Sequence, residues 1–203
     1  MLTAGFATIV YLKSRLLPDA AAGEAEWDDE VAALGKSVAG KFDRHCNRDF
    51  ARSTAAVDTF KARASAWVLR RYPVESLDTV EVIDPDGTAT EQVIDEWQLD
   101  ESSGLLESDT LAGSLRQKLR ITYTGGYWLD PRDGTAMPAE ANALPDDVLE
   151  AWVAQCQHEA ESRGLFSAVS FRSQSDDGPR TTGLGLLDDV AYVLRSYRRF
   201  SGE

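Results

Sequence analysis

Residues Leu119-Arg120-Ile121-Thr122-Tyr123-Thr124-Gly125-Gly126-Tyr127-Trp128 restrict the fold more than any other stretch of this chain. Leu119, Ile121 and Tyr123 alternate with Arg120, Thr122 and Thr124, the period of two that marks a strand with one buried face, and the residues are β-favouring types. Gly125-Gly126 stops the run. Glycine reaches positive φ without a Cβ clash, so the pair predicts a sharp corner that returns Tyr127 and Trp128 to the body of the protein. Short alternating runs precede this strand and helical patterns follow it, which makes it the seam between a β region and a helical body.

The clearest helical pattern is Trp27, Val31, Leu34, Val38, Phe42 and Cys46, spaced by three and four. Asp28, Asp29 and Glu30 open it and Lys41, Arg44 and Arg48 close it, as the helix dipole favours, so a helix is predicted over about 27–47. Leu144-Pro145-Asp146-Asp147 starts a second helix over about 145–164, with Val148, Leu149, Trp152, Val153, Cys156 and Ala160 as its buried stripe and Gly164 as its stop. A shorter helix fits 8–17, ended by Pro18, with Ala20 to Glu26 as a flexible connection. Between about 54 and 124 the runs Val57–Lys61, Leu77–Ile83, Val93–Leu99 and Lys118–Thr124 predict a small antiparallel sheet, with Asp84-Pro85-Asp86-Gly87 as the hairpin turn joining the second run to the third. Those two aspartates lack the ligand spacing of an EF-hand loop.

Residues 129–144 read as a polar loop, and Ser167 to Gly185 has too little apolar content to pack, so it reads as a flexible linker. Beyond it Leu187, Val190, Leu194 and Tyr197 share one face of a short amphipathic helix, acidic at its start and arginine-rich at its end. The expected fold class is therefore α+β, mainly α: a helical body of long antiparallel helices with a small antiparallel β insertion. Residues 1–166 would form one domain, 167–185 the linker, and 186–203 a docking helix and tail.

Twenty-one basic against thirty-four acidic side chains leave a net charge of −13, the wrong sign for gripping phosphate backbones. The N-terminal apolar run is too short to span a bilayer and carries its basic residues, Lys13 and Arg15, after rather than before it, so neither a signal peptide nor a membrane helix is expected. Cys46 and Cys156 are the two cysteines, each in a helical apolar stripe, the setting of a buried free thiol. Gly35-Lys36-Ser37 imitates the end of a P-loop, yet Glu30 stands where the leading glycine belongs and the triplet lies mid-helix. His45, Cys46, Cys156 and His158 lack zinc spacing, and no G-x-S-x-G nucleophile elbow occurs. The doublets Asp28-Asp29, Asp146-Asp147 and Asp188-Asp189 stand at helix starts, where anions are favoured electrostatically. No catalytic residue, cofactor or metal site is expected. The five tryptophans are spread through the segments without interleaved basic residues, as core and interface anchors are.

The order of several short motifs resembles the head-tail connector proteins, also called adaptor or head-completion proteins, of long-tailed double-stranded DNA phages and gene transfer agents. The motifs are Cys46-Asn47-Arg48-Asp49-Phe50 ending a helix, Arg71-Tyr72-Pro73-Val74-Glu75-Ser76-Leu77 leading into a strand, Gly104-Leu105-Leu106, Ile121 to Tyr127, and Leu144-Pro145-Asp146-Asp147 opening a helix. The resemblance spans Trp27 to Gly164, and the Leu187 to Arg199 segment is similar to basic C-terminal ends of the same family. It implies a structural, non-enzymatic virion protein at the head-tail junction, assembled in the host cytoplasm as a homo-oligomeric, dodecameric ring. Its partners would be the portal protein, the tail-side neck or stopper proteins and its own copies, with double-stranded DNA passing through the channel without sequence-specific binding and no membrane involved. The C-terminal helix would dock on the portal, which assigns Leu187, Val190, Leu194 and Tyr197 to an apolar contact and Arg195, Arg198 and Arg199 to ion pairs. The chain departs from the simplest family pattern in a longer Asp84 to Thr110 segment and in the Ser167 to Gly185 linker. Two other readings are a small hydrolase or metal-dependent enzyme using His45, Cys46, Cys156 and His158, and an acidic monomeric regulatory module.

Overall fold

The structure is a computed structural model that describes residues 4–17, 25, 27–109, 112–129, 136–165 and 184–199. The chain divides into two compact units, one of residues 1–46, 129–137 and 143–198, the other of residues 47–128, 138–142 and 199–203.

In the first unit Thr8 caps helix α1 (Ile9–Leu16), its hydroxyl accepting from the Tyr11 N–H at 3.1 Å. Helix α2 (Asp28–Cys46) buries Val31, Leu34, Val38, Phe42 and Cys46 of the stripe expected from the spacing, while Trp27, its first member, precedes the helix and is half-buried. Helix α3 (Asp146–Ser162) buries Val148, Trp152, Val153, Cys156 and Ala160. Helix α4 (Asp188–Leu194) is a short fourth. Gly35 sits where a Cβ would stand 2.9 Å from Trp152 Cζ2 and 2.0 Å from the Ala4 carbonyl oxygen, so only glycine fits. The Trp152 indole N–H donates to the Gly35 carbonyl at 3.1 Å, and Phe6 packs on both Phe42 and Trp152 at 5.7 and 5.9 Å between centroids.

The second unit carries strands β1 (Ser53–Lys61), β2 (Ala66–Val68), β3 (Val74–Ile83), β4 (Ala89–Glu91), β5 (Trp97–Asp100), β6 (Leu105–Ser108), β7 (Lys118–Gly125) and β8 (Tyr127–Trp128); β9 (Asn142–Ala143) falls where the chain passes from the second unit back to the first. One antiparallel sheet has the order β1-β7-β3-β4, a second has β2-β6-β5, and β8 pairs with β9. The seam strand β7 is central, between β1 and β3, and its Leu119, Ile121 and Tyr123 are fully buried. Val80, Val82, Trp67, Leu69 and Leu106 join them in one core. Gly126 turns the corner at φ +95°, where an added Cβ would stand 2.7 Å from the Ala51 carbonyl oxygen.

The expectation of a mainly helical body with a small β insertion is overturned. Among the described residues the helices are of 8, 19, 17 and 7 residues, and residues 47–128 contain eight strands in substantial sheets of their own. Strands of three or four residues, such as β2 and β6, are too short to register a period, and their core residues Trp67 and Leu106 lie in what reads as loop. The turn at Asp84 to Gly87 forms, with the Gly87 N–H donating to the Asp84 carbonyl at 2.9 Å, but it leads to Ala89–Glu91. The segment expected as one strand from Val93 to Leu99 is a single helical turn, Ile94–Glu96, before β5. The Ser167 to Gly185 linker lies outside the described residues except for Leu184 and Gly185, as does most of Ala20 to Glu26.

Candidate functional site

The C-terminal element begins on a polar clamp. Gln155, fully buried in the α3 stripe, donates from Nε2 to the Gly185 carbonyl at 2.9 Å and accepts at Oε1 from the Leu187 N–H at 2.9 Å. Leu186, between those two bonds, has no exposed surface. A second buried polar group reinforces the clamp: Glu159, 4% exposed, accepts from Lys41 and Arg163 at 2.6 Å each and from Gln155 at 3.3 Å. The charge is thereby balanced by two cations, as a carboxylate removed from water requires.

Of the residues assigned to portal docking, Val190 and Leu194 are 3% and 0% exposed and face their own unit. The Cys46 thiol donates to the Leu194 carbonyl at 3.6 Å, and the Tyr197 hydroxyl donates to Asp147 at 2.8 Å. Leu187 and Tyr197 are half-buried. Arg195 and Arg198 are exposed beside Tyr192, at 72% the most exposed large hydrophobic side chain among the described residues, and the Arg195 guanidinium stands 5.9 Å from the Tyr192 ring. Burial first, then Arg198 and Arg195, pushes the His45 imidazole below its usual range. Tyr192 was missed because it lies off the apolar stripe, where sequence spacing marks a residue as solvent-facing.

In the second unit Arg199 lines a cavity of about 410 Å³ with Phe60, Ala64, Trp67 and Leu105. Its Nε is buried without a hydrogen-bond partner, and burial lowers the guanidinium pKa. Arg48, 2% exposed, lies against the rings of Tyr72, Phe50 and Tyr127 at 3.5, 4.7 and 5.2 Å, with none of its three nitrogens hydrogen-bonded. Aromatic faces replace an anion here. Asp58 is buried and satisfied, accepting from the Tyr123 hydroxyl at 2.8 Å and the Arg70 N–H at 2.7 Å, and burial raises the Tyr123 pKa.

Of the residues named in the hydrolase or metal-enzyme reading, His45 and His158 are half-buried and the two thiols are withdrawn from solvent. Cys46 and Cys156 are fully buried, and burial pushes the Cys156 thiol up, away from the reactive thiolate. Among the described residues no group of three or more His, Cys, Asp and Glu side chains is arranged to hold a metal ion, and no helix is long and apolar enough to cross a membrane.

No family model matches the sequence, and no curated protein does either. Solved structures do. The whole chain aligns with 94% of a chain in the neck of an empty gene transfer agent particle determined with C6 symmetry, at a TM-score of 0.61 and 14% identity. The fold is that of a gene transfer agent neck chain. A chain in the virion of the native particle matches over the same shares at TM-score 0.58 and 15% identity, and one in the native neck determined with C12 symmetry at 0.52 and 14%. The resemblance carried by the short motifs thus extends to the fold of the whole chain, β unit included.

Proposed function

We propose that this chain is a non-enzymatic structural protein of a particle neck, one subunit of a ring-shaped adaptor between the portal and the tail-side neck proteins. The observation that carries the reading is the full-length fold match to chains of gene transfer agent necks, whose symmetries are those of rings. In this role a dodecameric ring at the head-tail junction completes the DNA-filled head and leaves a central channel. A net charge of −13 suits passage of DNA without retention.

The proposed portal contact is the C-terminal element. Arg195 and Arg198, with Tyr192, are available as the unit stands, a pairing of residue types common at binding hot spots. Leu187, Val190, Leu194 and Tyr197 join the contact only if α4 leaves α3, because their buried surface is already engaged. Arg199, at the cavity in the β unit, takes an anionic partner there.

Electron microscopy of the chain mixed with the portal protein of its own particle tests this. Rings seated on the portal are expected, and Arg195→Glu with Arg198→Glu is expected to abolish seating while circular dichroism stays native. A chain that remains monomeric with the portal present, or a double variant that seats normally, contradicts the assignment.

A further inference from the structure

The four-stranded sheet ends in β1 on one side and β4 on the other, and the two edges differ in chemistry; the outward Lys61 carbonyl of β1 accepts from the Trp67 indole N–H at 3.1 Å, so the part of that edge offered to another strand is Val57 and Thr59. At one edge β4 is exposed at all three residues and ends in Glu91, with Val93 61% exposed just beyond. At the other edge β1 exposes Val57 (56%), Thr59 and Lys61 on the same outward side. Cross-strand partners define that side: Thr59 stands opposite Arg120, Arg120 opposite Glu81, and Glu81 opposite Glu91. Arg120 donates to Glu81 at 2.7 Å. Glu91 is left facing a like charge at the rim, an arrangement that costs stability unless a cation arrives from outside.

We infer that copies of this chain join head to tail by strand addition, the β4 edge of one copy pairing with the β1 edge of the next, so that the sheet continues from subunit to subunit. This rests on the ring reading above and names the surfaces that close the ring. The strand directions permit it. β1 is antiparallel to β7, β7 to β3 and β3 to β4, so β4 of one copy meets β1 of an identically oriented neighbour as an antiparallel pair. Setting Glu91 opposite Thr59 of the neighbour keeps outward residues on the outward side. It also brings the two exposed valines, Val93 and Val57, opposite each other and places Lys61 diagonal to Glu91, within reach of a long side chain. An acidic edge thus meets a basic one. Pairing of two β1 edges would leave Lys61 without an acidic partner, and pairing of two β4 edges about Glu91 would set Glu91 near Glu91, so the charges favour the heterologous contact that builds rings over the two-fold contact that stops at dimers. Short β4 and the bulge between Ser53 and Ala56 in β1 keep both edges from indiscriminate pairing.

Two experiments on particles or portal-seated assemblies decide the matter. Glu91→Lys and Lys61→Glu lie at exposed positions outside the core, and each alone is expected to raise the protein concentration needed for rings at least tenfold. A one-to-one mixture of the two variants is expected to restore assembly, because every junction in an alternating ring then carries one acid and one base. Single variants that assemble like the parent, or a mixture no better than either variant alone, overturn the inference. In assembled necks, Val57→Cys with Val93→Cys treated with a short bis-maleimide is expected to give a ladder of covalent multimers beyond the dimer; the native thiols are buried. Necks that contain the chain and show no ladder, or dimers from Val57→Cys alone, refute strand addition and leave the adaptor reading intact. Necks from which the chain is absent refute both.

Discussion

Gly35 illustrates how a single residue acts through contacts that its neighbours in sequence do not announce. It lies in Gly35-Lys36-Ser37, a fragment that invites comparison with a phosphate loop, yet its task is steric: Trp152 and Ala4 approach too closely for any side chain. Gly35→Ala is expected to cost stability at or above the upper end of the about 1–3 kcal/mol typical of overpacking, as a lowered urea midpoint with an unchanged slope. Arg48 presents the opposite case, a buried cation stacked on rings and lacking hydrogen bonds. Arg48→Met, which keeps the volume and removes the dehydrated charge, is expected to match or exceed the parent in thermal midpoint, whereas Arg48→Ala, which opens a cavity, is expected to fall below it. Neither role was legible in the sequence, because each depends on a partner more than twenty residues away, Trp152 for Gly35 and Tyr72 for Arg48.

At the scale of elements the legible parts were those with a long period. The stripe from Trp27 to Cys46, the stripe from Val148 to Ala160 and the alternation from Leu119 to Tyr123 bury the residues their spacing selects, except Trp27 and Leu149, which are half-buried. The β unit was underestimated because β2, β4, β5 and β6 hold three or four residues each, so Trp67 and Leu106 carry no pattern that separates strand from loop. The polar segment before the C-terminal helix marks it as a docking element, and sequence spacing does not say which surface it meets. The structure ties it to α3 through Gln155, a polar residue within an apolar stripe whose partners, Gly185 and Leu187, lie thirty or more residues away. Gln155→Ala leaves the Gly185 carbonyl and the Leu187 N–H without their partner and is expected to cost about 1–3 kcal/mol. Hydrogen exchange is expected to quicken across residues 185–194 and little elsewhere; uniform quickening would show that the clamp holds the whole unit together and not the C-terminal element alone.

Taken whole, the molecule uses several of its buried ionisable and sulfur-bearing groups to hold the fold. Glu159 is held by Lys41 and Arg163, Asp58 by Tyr123 and the Arg70 N–H, and both thiols are buried. What its surface offers is an acidic character overall, Tyr192 with two arginines at one place, and two sheet edges of opposite charge. Such a surface suits contacts with other polypeptides more than gripping nucleic acid. The most direct test is to delete this chain from the genome that encodes the particle and image the products by electron microscopy. Heads without attached tails, depleted of DNA and complemented by the chain supplied in trans, are expected. Particles that keep their tails and their DNA without it would contradict the account.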